Sequence, residues 1–169
     1  MKDYPMSLQY FEKCLSMYQK TFPEKHAYLA TTLSNIGDAH RLMGDYEKEL
    51  ITFNREALDI QENIKGSPVE CSLTYTYLAE TYREIKDYTT ASEYFEKGIE
   101  RRKNRLPRNH PNLAVIYHRV PKLYLDARKY DIAMKYVQQA VEVAQEKLPY
   151  NHPHLLKYRE TLERIRRKM

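Results

Sequence analysis

The sequence predicts an all-α solenoid of stacked helical hairpins, on the strength of a long period, two helical apolar stripes per period, and proline breaks between them. Tyr4, Tyr46, Tyr88 and Tyr130 stand 42 residues apart along the 169-residue chain. Their neighbours repeat as Lys2-Asp3-Tyr4, Gly44-Asp45-Tyr46 and Lys86-Asp87-Tyr88, whereas Arg128-Lys129-Tyr130 lacks the aspartate. Asn109-His110-Pro111 and Asn151-His152-Pro153 share the spacing, and His26 stands two periods before His110. Self-similarity at such a period marks a repeat array. The two stripes step by three or four residues, so each lies on one helix face. Every period is therefore a hairpin of an A helix followed by a B helix.

The leading helix, residues 3–21, sits in the B position with no A helix before it. Its apolar residues Met6, Leu8, Phe11 and Leu15 then lack the surface that a full repeat would cover, and the N-terminus reads as cut from a longer array or completed by another molecule. Phe22-Pro23 ends it, because the residue before proline is pushed out of the α region. Repeat one, about 26–65, carries Leu29, Leu33, Ile36 and His40 in its A helix. Its B helix, Leu50 to Ile64, fits with a one-residue slip that sets Ala57-Leu58 where the next repeat has Gly98-Ile99. Repeat two, about 68–106, replaces the His-Pro loop by Ile64-Lys65-Gly66-Ser67-Pro68. Its A stripe is Cys71, Tyr75, Leu78 and Tyr82; its B stripe is Ala91, Tyr94, Phe95, Gly98 and Ile99.

Repeat three, about 110–148, opens with Pro111 in the first turn, where a missing N–H is tolerated. Its A stripe is Leu113, Tyr117, Val120 and Tyr124, and its B stripe is Ala133, Tyr136, Val137, Ala140 and Val141. Pro121 falls inside this A helix and predicts a bend or opening near Tyr117, since its ring clashes with a carbonyl one turn back. Leu106-Pro107 and Leu148-Pro149 close the B helices. The last helix, 153–168, is an A helix turned into a cap: Arg159, Glu163 and Arg166 replace Tyr117, Pro121 and Tyr124, the polar outer face that a terminal repeat needs. The expected whole is one domain over 1–169, a superhelix of about eight antiparallel helices.

Composition bounds the function classes. No stretch approaches the length of a membrane span, and no signal peptide is read. Two cysteines make no disulfide framework; both sit at core positions as reduced thiols, which predicts a cytoplasmic protein. Residues 157–169 hold +4 of the net charge of +5. The other basic cluster, Arg101, Arg102, Lys103, Arg105 and Arg108, ends a B helix, so the two fall on opposite rims and form no continuous track for a nucleic-acid strand. Nucleic acid is not the expected partner, and neither is a membrane.

Chemistry is sparse. His26, His110 and His152 recur with the repeat and mark A-helix starts, so they lie in successive loops rather than converging on a metal. The four glycines are too scattered for a phosphate loop, and no nucleophile motif occurs. The expectation is no enzyme, no cofactor and no metal.

An A-B hairpin of 42 residues with Asn-His-Pro and Leu113-Ala114 at helix A, Ile36-Gly37, Tyr82, Gly44-Asp45-Tyr46 before helix B, and Ala91 within it resembles the kinesin light chain class of tetratricopeptide repeats. The resemblance covers nearly the whole chain and implies a tetratricopeptide-repeat superhelix acting as a protein-interaction scaffold. In that class an asparagine of helix A holds bound peptide backbone, and cargo motifs set an aromatic among acids. Only Asn35 keeps the asparagine; its equivalents are Tyr77, Arg119 and Thr161.

Fixing the core stripe fixes the exposed face of each A helix, which lines the concave side of a solenoid. The groove candidates are Ser34, Asn35, Asp38 and Arg41, then Thr76, Tyr77, Glu80 and Arg83, then His118, Arg119 and Lys122. The basic members suit carboxylates, with arginine offering bidentate geometry, and Tyr77 suits an aromatic or aliphatic anchor. The expected function is an adaptor that binds an acidic-aromatic linear segment. Two alternatives stay open: a homodimer through Met6, Leu8, Phe11 and Leu15, or an accessory interaction domain of a larger protein.

Overall fold

The computed structural model describes residues 4–46, 48–64, 68–104, 106–108 and 110–169. Lys2, Asp3, Lys65, Gly66, Ser67, Arg105 and Asn109, all used above, lie outside the described residues. Among the described residues there are eight helices and no strand: α1 (Tyr4–Thr21), α2 (Ala27–Met43), α3 (Lys48–Asn63), α4 (Pro68–Glu84), α5 (Tyr88–Lys103), α6 (Pro111–Asp126), α7 (Tyr130–Gln145) and α8 (Pro153–Arg166). The even-numbered helices hold the A positions. The chain divides into two compact units, Met1–Tyr94 and Phe95–Met169, and the division falls within α5.

The repeat histidines have a structural role. Nδ1 of His26 accepts the Tyr28 N–H at 3.2 Å, that of His110 the Asn112 N–H at 3.2 Å, and that of His152 the His154 N–H at 3.2 Å. Each thereby satisfies an amide that the first helical turn leaves without a carbonyl. Three of the A helices, α2, α4 and α6, end alike too. Gly44, Lys86 and Arg128, one period apart, take φ of 84°, 66° and 57°. That left-handed residue lets the next N–H fold back onto the helix: Asp45 N to His40 O at 3.1 Å, Asp87 N to Tyr82 O at 2.9 Å, and Lys129 N to Tyr124 O at 2.7 Å.

In the first unit Leu29, Ala30 and Leu33 of α2 pack with Ala57 and Ile60 of α3, and Leu15 and Tyr18 of α1 cover the other side. Gly37 meets α3 closely: a Cβ there would lie 2.2 Å from Nδ2 of Asn54, which is fully buried. In the second unit Leu113, Ile116, Val120 and Leu123 of α6 are buried with Val137, Ala140 and Ala144 of α7. The two units repeat one aromatic device. Tyr82 stacks on Tyr94 with centroids 5.4 Å apart at 11°, and Tyr124 stacks on Tyr136 at 5.8 Å and 6°. Pro121 is buried within α6, which stays helical from Pro111 to Asp126, so the opening expected there is absent.

Candidate functional site

In the first unit most of the proposed groove residues are buried or paired within the unit. Ser34 is 4% exposed, and its Oγ lies 2.8 Å from Oγ1 of Thr74. Thr76 is 1% exposed and donates to the Ser72 carbonyl at 2.8 Å. Both pack inside the unit instead of facing solvent as expected. Arg41 donates to Asp38 at 2.6 Å, and a second guanidinium nitrogen lies 3.0 Å from Glu80 of the neighbouring A helix. Burial works against its charge, but Glu80 and then Asp38 hold its pKa above the ordinary value. Arg83 is buried and paired with Glu84. Neither arginine therefore stands out to solvent as the sequence suggested. Asn35 and Tyr77 are half-buried on the same helices.

The second unit differs. His118 on α6 stacks on Tyr158 of α8, with centroids 4.4 Å apart, and its Nε2 lies 3.0 Å from Oγ1 of Thr161. Its pKa is pushed down to about 4, by burial first and then by Lys157, Arg164, Arg119 and His154. Burial raises the Tyr158 phenol, and the charge of Arg119 acts on it in the opposite sense. Lys122 is exposed and Arg119 half-buried. Lys157 and Arg164 are exposed, and neither forms an ion pair among the described residues.

Lys157, Tyr158, Thr161 and Arg164 were not among the sequence candidates, although the period reaches them. Arg164 is one period beyond Lys122, and Lys157 one period beyond Val115. The reading of α8 as a cap stopped the groove register one helix short. Elsewhere on α8, Arg159 lies over the Tyr150 ring at 4.3 Å, and Arg166 pairs with Glu163 at 2.6 Å. The basic cluster at the end of α5 is partly consumed by structure. Arg102 is buried and donates to the Asn112 carbonyl, and Lys103 lies 5.9 Å over the Tyr117 ring.

On α1 the proposed association residues separate. Met6 is 52% exposed, but Leu8, Phe11 and Leu15 are half-buried, with Leu15 against the α2–α3 core. Tyr10 and Met17 join Met6 as the exposed large apolar residues of this helix. Among the described residues no three His, Cys, Asp or Glu side chains gather as metal ligands, and no helix is long and apolar enough to cross a membrane.

A family model described as Tetratricopeptide repeat matches residues 1–63 and 70–146. Similar solved structures include the nearly identical TPR-like repeats assigned to a kinesin light chain of Podosopora anserina, with a TM-score of 0.76 and 17% identity over 97% of this chain and 78% of that one. BtubC (BKLC) from P. vanneervenii gives 0.81 and 16% identity over 99% of this chain and 67% of that one. The apo form of RapI gives 0.80 and 17%, over 99% and 58%. No curated protein matches the chain. At these identities the structural likeness is one of fold, and it agrees with the kinesin light chain-like repeat pattern. With the family matched over most of its length, the chain belongs to the tetratricopeptide repeat family.

Proposed function

We propose that this chain is a non-enzymatic interaction module that binds a linear, acidic segment of a partner protein along its A helices. The supporting observation is the cationic face of α6 and α8, where Lys157 and Arg164 stand exposed without an ion pair among the described residues. Arg119 and Lys122 extend that face, and oppositely charged surfaces steer and orient partners. Within the first unit, Asn35 and Tyr77 are proposed as contacts in their own right, Tyr77 for an apolar or aromatic anchor. In the first unit Ser34, Thr76 and Arg83 are buried and Asp38 and Glu80 hold Arg41, so these residues are proposed to support Asn35 and Tyr77. The two cysteines, one buried and one half-buried, suit a reducing, cytoplasmic setting. The decisive variant is Arg119→Glu with Arg164→Glu. It abolishes binding to an acidic peptide pool while helicity by circular dichroism is kept; unaltered binding refutes the reading.

The exposed residues of α1 favour a second reading. Met6, Tyr10 and Met17 step by four and seven along the helix, opposite the Leu8–Leu15 face that meets α2. An exposed apolar stripe on a helix suits self-association, as a homodimer. Light scattering on the purified chain tests it: a monodisperse monomer at tens of micromolar sinks this second reading and leaves the first intact.

A further inference from the structure

The A-helix face changes the sign of its charge along the chain. One register position is filled in turn by Asp38, Glu80, Lys122 and Arg164, each 42 residues after the last. In the first unit the acids at this position hold Arg41, so the charges there cancel. In the second unit the same position is basic twice over. Lys157, Thr161 and Arg164 share one face of α8 at steps of four and three residues, and the Thr161–His118 bond turns that face towards α6. Arg119 follows His118 on α6 and acts on Tyr158 of α8.

We propose that the α6–α8 face is a receptor for a phosphorylated side chain in a partner segment, its phosphomonoester held by Arg119, Lys157 and Arg164. This rests on the acidic-segment reading and sharpens it. The nearest acids of α8 do not cancel Lys157 and Arg164: Glu163 is taken by Arg166, and Glu160 is exposed and forms no ion pair among the described residues. One carboxylate would neutralise only one of the two charges of Lys157 and Arg164. A phosphomonoester brings nearly two charges and three strong acceptor oxygens. Arg119 and Arg164 present planar forks that fit such oxygens, and Lys157 adds a compact charge. His118, half-buried, stacks on the buried Tyr158 ring. His118 stays neutral there at pH 7, with its pKa pushed down to about 4 by burial and then by Lys157, Arg164, Arg119 and His154.

The test uses the whole chain and three degenerate peptide pools that differ at one central position: phosphoserine, glutamate or serine. Binding is read by fluorescence anisotropy at fixed salt. The phosphoserine pool is expected to bind about tenfold more tightly than the glutamate pool. Lys157→Ala with Arg164→Ala, at two exposed positions, is expected to erase that advantage with helicity and melting temperature unchanged. Equal binding of the phosphoserine and glutamate pools, both lost in the double variant, overturns the phosphate assignment and leaves the acidic-segment reading standing. No preference of either pool over serine overturns both. A phosphoserine advantage that survives the double variant also overturns the assignment, because it places the receptor elsewhere. Tighter, variant-sensitive binding of a single-stranded DNA oligonucleotide overturns it in favour of phosphodiesters.

Discussion

His118 gives the fold a pH dependence that can be isolated by one substitution. Its pKa is near 6.5 in an unfolded chain and about 4 in the folded protein. Between those values the unfolded state binds the proton and the folded state does not. The group's contribution to stability is therefore fully present above pH 6.5 and is lost as pH falls towards 4. A shift of this size is worth about 3 kcal/mol at full strength, but the ring is partly open to solvent, and screening reduces the effect to about 1–2 kcal/mol. For a chain of this length that is roughly 2–8 °C in melting temperature. The assay is thermal unfolding by circular dichroism at pH 7.5 and pH 4.5 for the natural chain and for His118→Gln, which keeps a polar group beside Thr161. The other five histidines and every carboxylate are common to both proteins, so their titrations cancel in the comparison. The natural chain is expected to lose about 2–8 °C more on acidification than the variant. Equal losses would refute the reasoning and show that the imidazole is solvated in solution.

Two further substitutions probe the packing. Tyr82 is 7% exposed, stacks on Tyr94, and accepts a bond from Arg55 at 2.7 Å. Tyr82→Ala is expected to cost about 3–5 kcal/mol and Tyr82→Phe about 0.5–1.5 kcal/mol in denaturant unfolding; an unchanged alanine variant would mean that the helical phase is wrong. Gly37→Ala sets about 1 kcal/mol of gained helix propensity against a Cβ placed 2.2 Å from the buried Asn54 amide, a clash worth about 1–3 kcal/mol. The expected result is a lower melting temperature that recovers once Asn54 is also shortened to alanine, and a single variant more stable than the natural chain contradicts the contact.

The fold was readable because a 42-residue period carries its own check, each core position being stated several times over. The slip at Ala57-Leu58 is one instance: both residues are buried, where the shifted alignment put them. The stacked tyrosines also follow from the stripes. The histidine caps were legible as positions but not as bonds, since acceptance by Nδ1 depends on a backbone angle that the sequence does not display. The groove was less legible for a different reason. The pairing of Arg41 with Glu80 joins two A helices, and it depends on how closely successive hairpins stack. Helical phase alone therefore called Ser34, Thr76, Arg41 and Arg83 available when the stacking occupies them. Pro121 shows the converse, a residue that breaks a local rule and is accommodated because its neighbours in α6 are buried and held.

The paired tyrosines also give the protein two internal optical reporters. The chain has 16 tyrosines and no tryptophan, so its near-ultraviolet circular dichroism arises chiefly from phenol rings. Strongly coupled rings are the parallel ones: Tyr82 with Tyr94 in the first unit, and Tyr124 with Tyr136 in the second. A single Tyr94→Phe or Tyr136→Phe silences one pair and leaves the other as the signal. The two halves of the chain can then be watched melting separately in one unlabelled molecule. An alkaline titration adds a second channel, because Tyr136 ionises only near pH 12, held back by burial and then by Tyr124.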